Sequence, residues 1–168
     1  MPFEEQLIEL LVSIPSWFAT IILSALPISE LRGSIPIAIG VYGLGPIEAY
    51  FLAVLGNLIP VIPLLLFLEP VSTFLRRFKV GDVFFTWLFT RTRQKHSERM
   101  EKYGPLALTL FVAIPLPITG AWTGCAAAFV FGIKFRQALL SIFAGLLIAG
   151  IVVTLVTLAG MGALEILN

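Results

Sequence analysis

The chain has 168 residues, of which 58% are apolar and only 12% charged, with a formal net charge of +1. Its mean hydropathy is +1.00, whereas a soluble domain carries about 25% charged residues. Lipid is therefore expected on most sides, a separate soluble domain is excluded by length, and the single cysteine excludes an internal disulfide.

The N-terminus, Met-Pro-Phe-Glu-Glu-Gln, is acidic, whereas a cleavable signal peptide needs a positive leading region, so the mature protein is expected to begin at or near Met1. The first apolar run, Leu10 to Ile47, is uncharged through Ser29 and is then broken by Glu30, Arg32, Gly33 and Pro36, with Pro27 just before them. Ala49–Leu68 follows, about 30 Å long as a helix, which is one hydrocarbon thickness. Next comes a connector, Pro70–Lys102, whose first part is rich in aromatic residues suited to the membrane interface. Tyr103–Ile133 is too long for one crossing and is broken by Ile114–Gly120, and Gln137–Leu164 is long enough to span. Each half of the two broken runs has about 12–15 residues, the length expected of a re-entrant segment.

Eight of the eleven Lys and Arg residues lie between Arg76 and Lys102, and Lys134 with Arg136 follows the second broken run. If both groups are cytoplasmic, Tyr103–Ile133 enters and leaves on one side, and both termini are extracytoplasmic. The rival layout makes each broken run two short full crossings. A shift of 88 places Ala25 and Pro27 on Ala113 and Pro115, and one more residue places Gly43, Ala49 and Gly56 on Gly132, Ala138 and Gly145. The expected fold is thus an all-α polytopic membrane protein built as an inverted repeat. Each half is a re-entrant helical hairpin followed by one transmembrane helix, residues 1–69 and 103–168, and a basic cytoplasmic connector, residues 70–102, joins them.

Glu30 and Arg32 are the sharpest functional candidates. A charge at mid-bilayer costs roughly 2.5–3.5 kcal/mol on insertion scales, so a pair there points to a polar path. On a continuous helix, residues two apart do not face each other; they can meet only where the backbone is broken, as Pro27, Gly33 and Pro36 allow. A desolvated carboxylate suits proton or cation coupling, and a guanidinium suits a phosphate or carboxylate. The bland reading is a structural ion pair at a hairpin tip. In the second broken run, Pro115, Pro117, Thr119, Gly120 and Thr123 offer unpaired carbonyls and hydroxyls, or simply a turn. Asn57, near Pro60 and Pro63, either lines a cavity or bonds a neighbouring helix. The small stripes Ala49/Ala53/Asn57 and Ser141/Gly145/Ala149 permit close helix approach, between the two spans or in a dimer. Arg91, Lys95 and Arg99, four apart, suit anionic headgroups or a solvated face.

An enzyme is not expected. His96 is the only histidine and Asp82 the only aspartate, both in the connector, so no aspartate dyad, Ser-His pair or zinc cluster is available. No cofactor, metal or nucleic-acid partner is expected either.

The segment Pro27-Ile28-Ser29-Glu30-Leu31-Arg32-Gly33-Ser34-Ile35-Pro36, with Ala113-Ile114-Pro115-Leu116-Pro117-Ile118-Thr119-Gly120, resembles the small multidrug export proteins, over nearly the whole chain. That family looks like a distant relative of the DedA and SNARE-associated Golgi (VTT) membrane proteins. The resemblance implies two re-entrant hairpins facing each other, with Glu30 as the acidic residue of the first. It also implies proton-coupled export in some relatives and movement of phospholipid or polyprenyl phosphate in others. DedA-type proteins carry arginines in the second hairpin, and this chain has none between Lys102 and Lys134. The leading expectation is a homo-oligomeric secondary exporter in the cytoplasmic membrane. The alternatives are a lipid translocase and a non-transporting membrane scaffold.

Overall fold

The computed structural model describes residues 14–75, 77–78, 83, 86, 103–115 and 120–167. Every regular element among them is a helix: α1 (Ser16–Ala25), α2 (Glu30–Gly40), α3 (Pro46–Leu75), α4 (Tyr103–Ala113), α5 (Ala121–Phe131) and α6 (Phe135–Leu167). Most of the basic connector, including Arg91, Lys95 and Arg99, lies outside the described residues.

Two helices are long and apolar enough to cross a bilayer, over Pro46–Phe74 and Phe135–Ala163. Only 28% and 39% of their most apolar windows are buried. A core helix of a soluble protein would be covered, so these read as membrane spans. On α3 the uncovered stripe is Phe51, Leu55, Ile59, Ile62 and Leu66, all exposed, at the three-to-four spacing of one helix face. The other helices have 10 or 11 residues, short of the ~20 that a crossing needs.

The chain divides into two compact units, Met1–Asn57 with Gly150–Asn168, and Leu58–Ala149. In the first, α1 ends where Leu26 turns extended, at φ −75° and ψ 139°, because a residue before proline is pushed out of the helical region. A tight turn through Pro27, Ile28 and Ser29 leads into α2, which packs against α1. α2 closes through Gly43 at φ +67°, a conformation that glycine adopts without a Cβ clash. Pro46 then opens α3, in the first helical turn, where its missing N–H is not needed.

Close backbone approach joins these helices. A Cβ on Gly56 would lie 2.9 Å from both Ile21 Cα and Ser24 Cβ, and the Ser24 hydroxyl donates to the Ala53 carbonyl at 2.5 Å. Gly150 of α6 meets Tyr50 of α3, where a Cβ would lie 2.7 Å from the ring.

The second unit is organised around Val112 of α4, which is 1% exposed. A Cβ on Gly124 of α5 or on Gly145 of α6 would each come within 2.7 Å of it. α5 ends in a Schellman turn. Ile133 N–H donates to Ala128 C=O at 2.9 Å and Gly132 N–H to Phe129 C=O at 3.1 Å, with Gly132 at φ +69°. The buried stripes Ala49/Ala53/Asn57 and Ser141/Gly145/Ala149 thus serve packing inside the chain. Glycines on these faces receive the short helices α1 and α4, and Gly150 adds a span-to-span contact.

Gly56→Ala is expected to destabilise the protein by about 1–3 kcal/mol, as overpacking does, because backbone cannot yield as a side-chain tip does. Gly160→Ala, with nothing within 4 Å of the added Cβ, should be neutral or stabilising. Thermal unfolding in detergent, followed by circular dichroism, compares the two; equal melting temperatures would refute the α1–α3 contact.

Candidate functional site

Glu30 is the first residue of α2, and its backbone is the sole described non-glycine position with positive φ, +46°. An L-residue there costs roughly 1–2 kcal/mol, so surrounding bonds must hold it. The Glu30 N–H donates to Leu26 C=O at 3.0 Å and the Gly33 N–H to Ser29 C=O at 2.9 Å. The Ser29 hydroxyl donates to the Leu23 carbonyl, tying the turn to the end of α1. Gly33 is needed as glycine, since a Cβ would lie 2.9 Å from Ser29 Cβ.

That turn is what lets Glu30 and Arg32 meet. Arg32 Nη2 lies 3.8 Å from Glu30 Oε2, with side chains 22% and 9% exposed. The separation is a charge pairing longer than a direct hydrogen bond, in surroundings where low polarity strengthens Coulomb attraction. Its position in the first turn of α2 also favours the carboxylate through the helix dipole.

α2 buries one face, comprising Glu30, Leu31, Ser34, Ile35, Ala38 and Ile39. Ser34 was not singled out among the sequence candidates. It sits one turn after Glu30 on the same face and is fully buried, and its hydroxyl has no hydrogen-bond partner. The available signal was the i, i+4 spacing from an intramembrane carboxylate. Pro36 lies inside α2, where it has no N–H to offer Arg32 C=O. Asn57 is also fully buried, and neither its carbonyl oxygen nor its amide nitrogen has a partner, so it does not bond a neighbouring helix.

Among the second-run candidates, Pro115 follows the end of α4 and is partly buried, and Gly120 precedes α5. The Thr123 hydroxyl accepts the Gly120 N–H at 2.9 Å, so its first role is capping its own helix. Pro117 and Thr119 lie outside the described residues. Glu30, Arg32, Ser34 and Asn57 belong to the first unit, and Pro115, Gly120 and Thr123 to the second. An apolar groove of about 370 Å³ in the first unit is lined by Pro46, Ile47, Tyr50, Phe51, Ile151, Thr154, Leu155 and Leu158, none of them charged.

The positive φ yields a direct test. Glu30→Gly and Glu30→Ala both remove the carboxylate, but only alanine keeps a Cβ. Glu30→Gly should be the more stable of the two by about 1 kcal/mol; identical melting temperatures would show that the left-handed turn does not exist in the folded protein.

A family model described as "Putative small multi-drug export protein" matches residues 30–152, from Glu30 through the last helix's first half. No curated protein and no solved structure matches the chain.

Proposed function

Since the chain belongs to this small multidrug export family, we propose that it is a secondary exporter, not an enzyme, and that Glu30 is its proton- or cation-coupling group. The observation that carries the reading is a carboxylate 7% exposed in a strained turn within an otherwise apolar membrane protein. Such strain clusters at working sites, and an intramembrane ionisable group with a named partner is a functional candidate by default. Arg32 sets the affinity of that carboxylate for its ion. The pairing of Arg32 with Glu30 weighs against a dedicated lipid-phosphate anchor, because its charge already has a counter-ion.

We further propose that the two halves are inverted repeats whose broken hairpins form the path, with the basic connector cytoplasmic and the chain working as a homo-oligomer in the cytoplasmic membrane. Local events repeated 88 or 89 residues apart support the repeat. α3 starts at Pro46 and α6 at Phe135. Ala49 N–H donates to Gly45 C=O and Ala138 N–H to Lys134 C=O, both at 2.9 Å. The positive φ of Gly43 recurs at Gly132. Gly56 receives Ile21 and Ser24, and Gly145 receives Thr109 and Val112.

The test is dye-reported proton movement in proteoliposomes under an imposed gradient, with a panel of cations, amphiphilic drugs and polyprenyl phosphate. Wild type should show substrate-dependent flux, and Glu30→Gln should fold normally and lose it. Flux unchanged in Glu30→Gln removes Glu30 from coupling. No flux from folded wild type favours lipid translocation or scaffolding.

A further inference from the structure

Among the described residues of the first unit, Ser34 and Asn57 are fully buried, and Ser34 Oγ, Asn57 Oδ1 and Asn57 Nδ2 have no hydrogen-bond partner. A buried unsatisfied polar group costs roughly 1–3 kcal/mol, and membrane interiors offer no bulk water to relieve it. Ser34 is the more telling because intrahelical alternatives exist. Thr20, Thr73, Thr109, Thr154 and Thr157 each donate to the carbonyl four residues earlier, at 2.7 to 3.0 Å. Ser34 makes no such bond, so its hydroxyl is kept for another partner. Asn57 is flanked by a further acceptor: Pro60 lies inside α3 and has no N–H to donate to Gly56 C=O.

We infer that Ser34 and Asn57 are binding positions for water inside the membrane, on the same unit as Glu30. The chemistry selects the guest. The carboxamide presents an acceptor and a donor on one group and the hydroxyl presents both on one atom. A bare cation satisfies only the oxygens and an anion only the N–H and O–H. Water, small and amphoteric, satisfies all three, as buried waters do for orphaned polar groups. Placed one turn from Glu30 on the same buried face, a water on Ser34 gives the carboxylate a proton donor and acceptor besides its Arg32 partner, on a face whose other buried residues, Leu31, Ile35, Ala38 and Ile39, are apolar. This deepens the coupling role of Glu30 and rests on that reading for its purpose, though not for its test.

Asn57 and Asn168 are the only asparagines, so protein labelled with ¹⁵N-asparagine has two side-chain amides. Water-edited solid-state NMR in lipid bilayers measures transfer from water to each, and Asn57→Leu assigns the signal. The Asn57 amide should receive magnetisation from water, in wild type and in Glu30→Gln alike. Absence of transfer to a rigid Asn57 amide overturns the inference. Ser34→Ala should leave that signal in place and slow Glu30-dependent proton flux; an unchanged flux removes Ser34 from the water-bearing positions. A hydrated Asn57 with no flux sinks the exporter reading alone, and a dry Asn57 with Glu30-dependent flux sinks the hydration inference alone.

Discussion

Leu26 cannot continue α1 because Pro27 follows it, and the candidate site depends on where the resulting turn puts Glu30. With Leu26 extended and Glu30 left-handed, the chain reverses within a few residues, and α2 starts with its first side chain directed into the protein. In a regular helix Glu30 and Arg32 would diverge by about 200°, two steps of the ~3.6-residue turn. The turn brings their charges to 3.8 Å instead. Neither group then enters the apolar interior alone, and an uncompensated charge there is far costlier than a paired one. The strain at Glu30 is held by the Leu26, Ser29 and Leu23 carbonyls together.

The rest of the architecture follows from a second constraint, that lipid provides no hydrophobic drive for one helix to prefer another. Association then depends on close van der Waals packing, which small residues permit. Gly56, Gly124, Gly145 and Gly150 are the points where helices touch most closely, each with a neighbour that a Cβ would overlap. The opposite stripes of α3 and α6 keep large side chains such as Phe51, Leu55, Leu140 and Leu155 uncovered. A soluble protein could not leave that much apolar surface exposed.

Much of this was legible beforehand. The spans stood out as uncharged stretches of bilayer length, and the structure places helices over both. The breaks at Pro27 and Pro115 are visible because proline dictates the residue before it, whatever the surroundings. Gly43, Gly56, Gly132 and Gly145 were marked by spacing, and two prove to be left-handed caps and two are contact points. Thr123 was legible as a hydroxyl in the second broken run, but its use as a cap depends on the rotamer it takes against Gly120. Serine in an apolar run usually bonds its own helix, and only the folded geometry reveals that Ser34 does not.

Composition, the Glu30–Arg32 spacing, and the placement of proline and glycine pointed by themselves to a chain that belongs in lipid, to the two segments long and apolar enough to span, and to where the backbone breaks. They did so because hydropathy, φ restriction and missing N–H groups are properties of single residues or short windows. Tertiary structure decided the rest: which glycine receives which helix, that the acid and base face each other, and that Asn57 and Ser34 are enclosed without a partner. Those relations join residues as far apart in sequence as Ser24 and Ala53 or Tyr50 and Gly150, and burial and pairing exist only once the helices have packed.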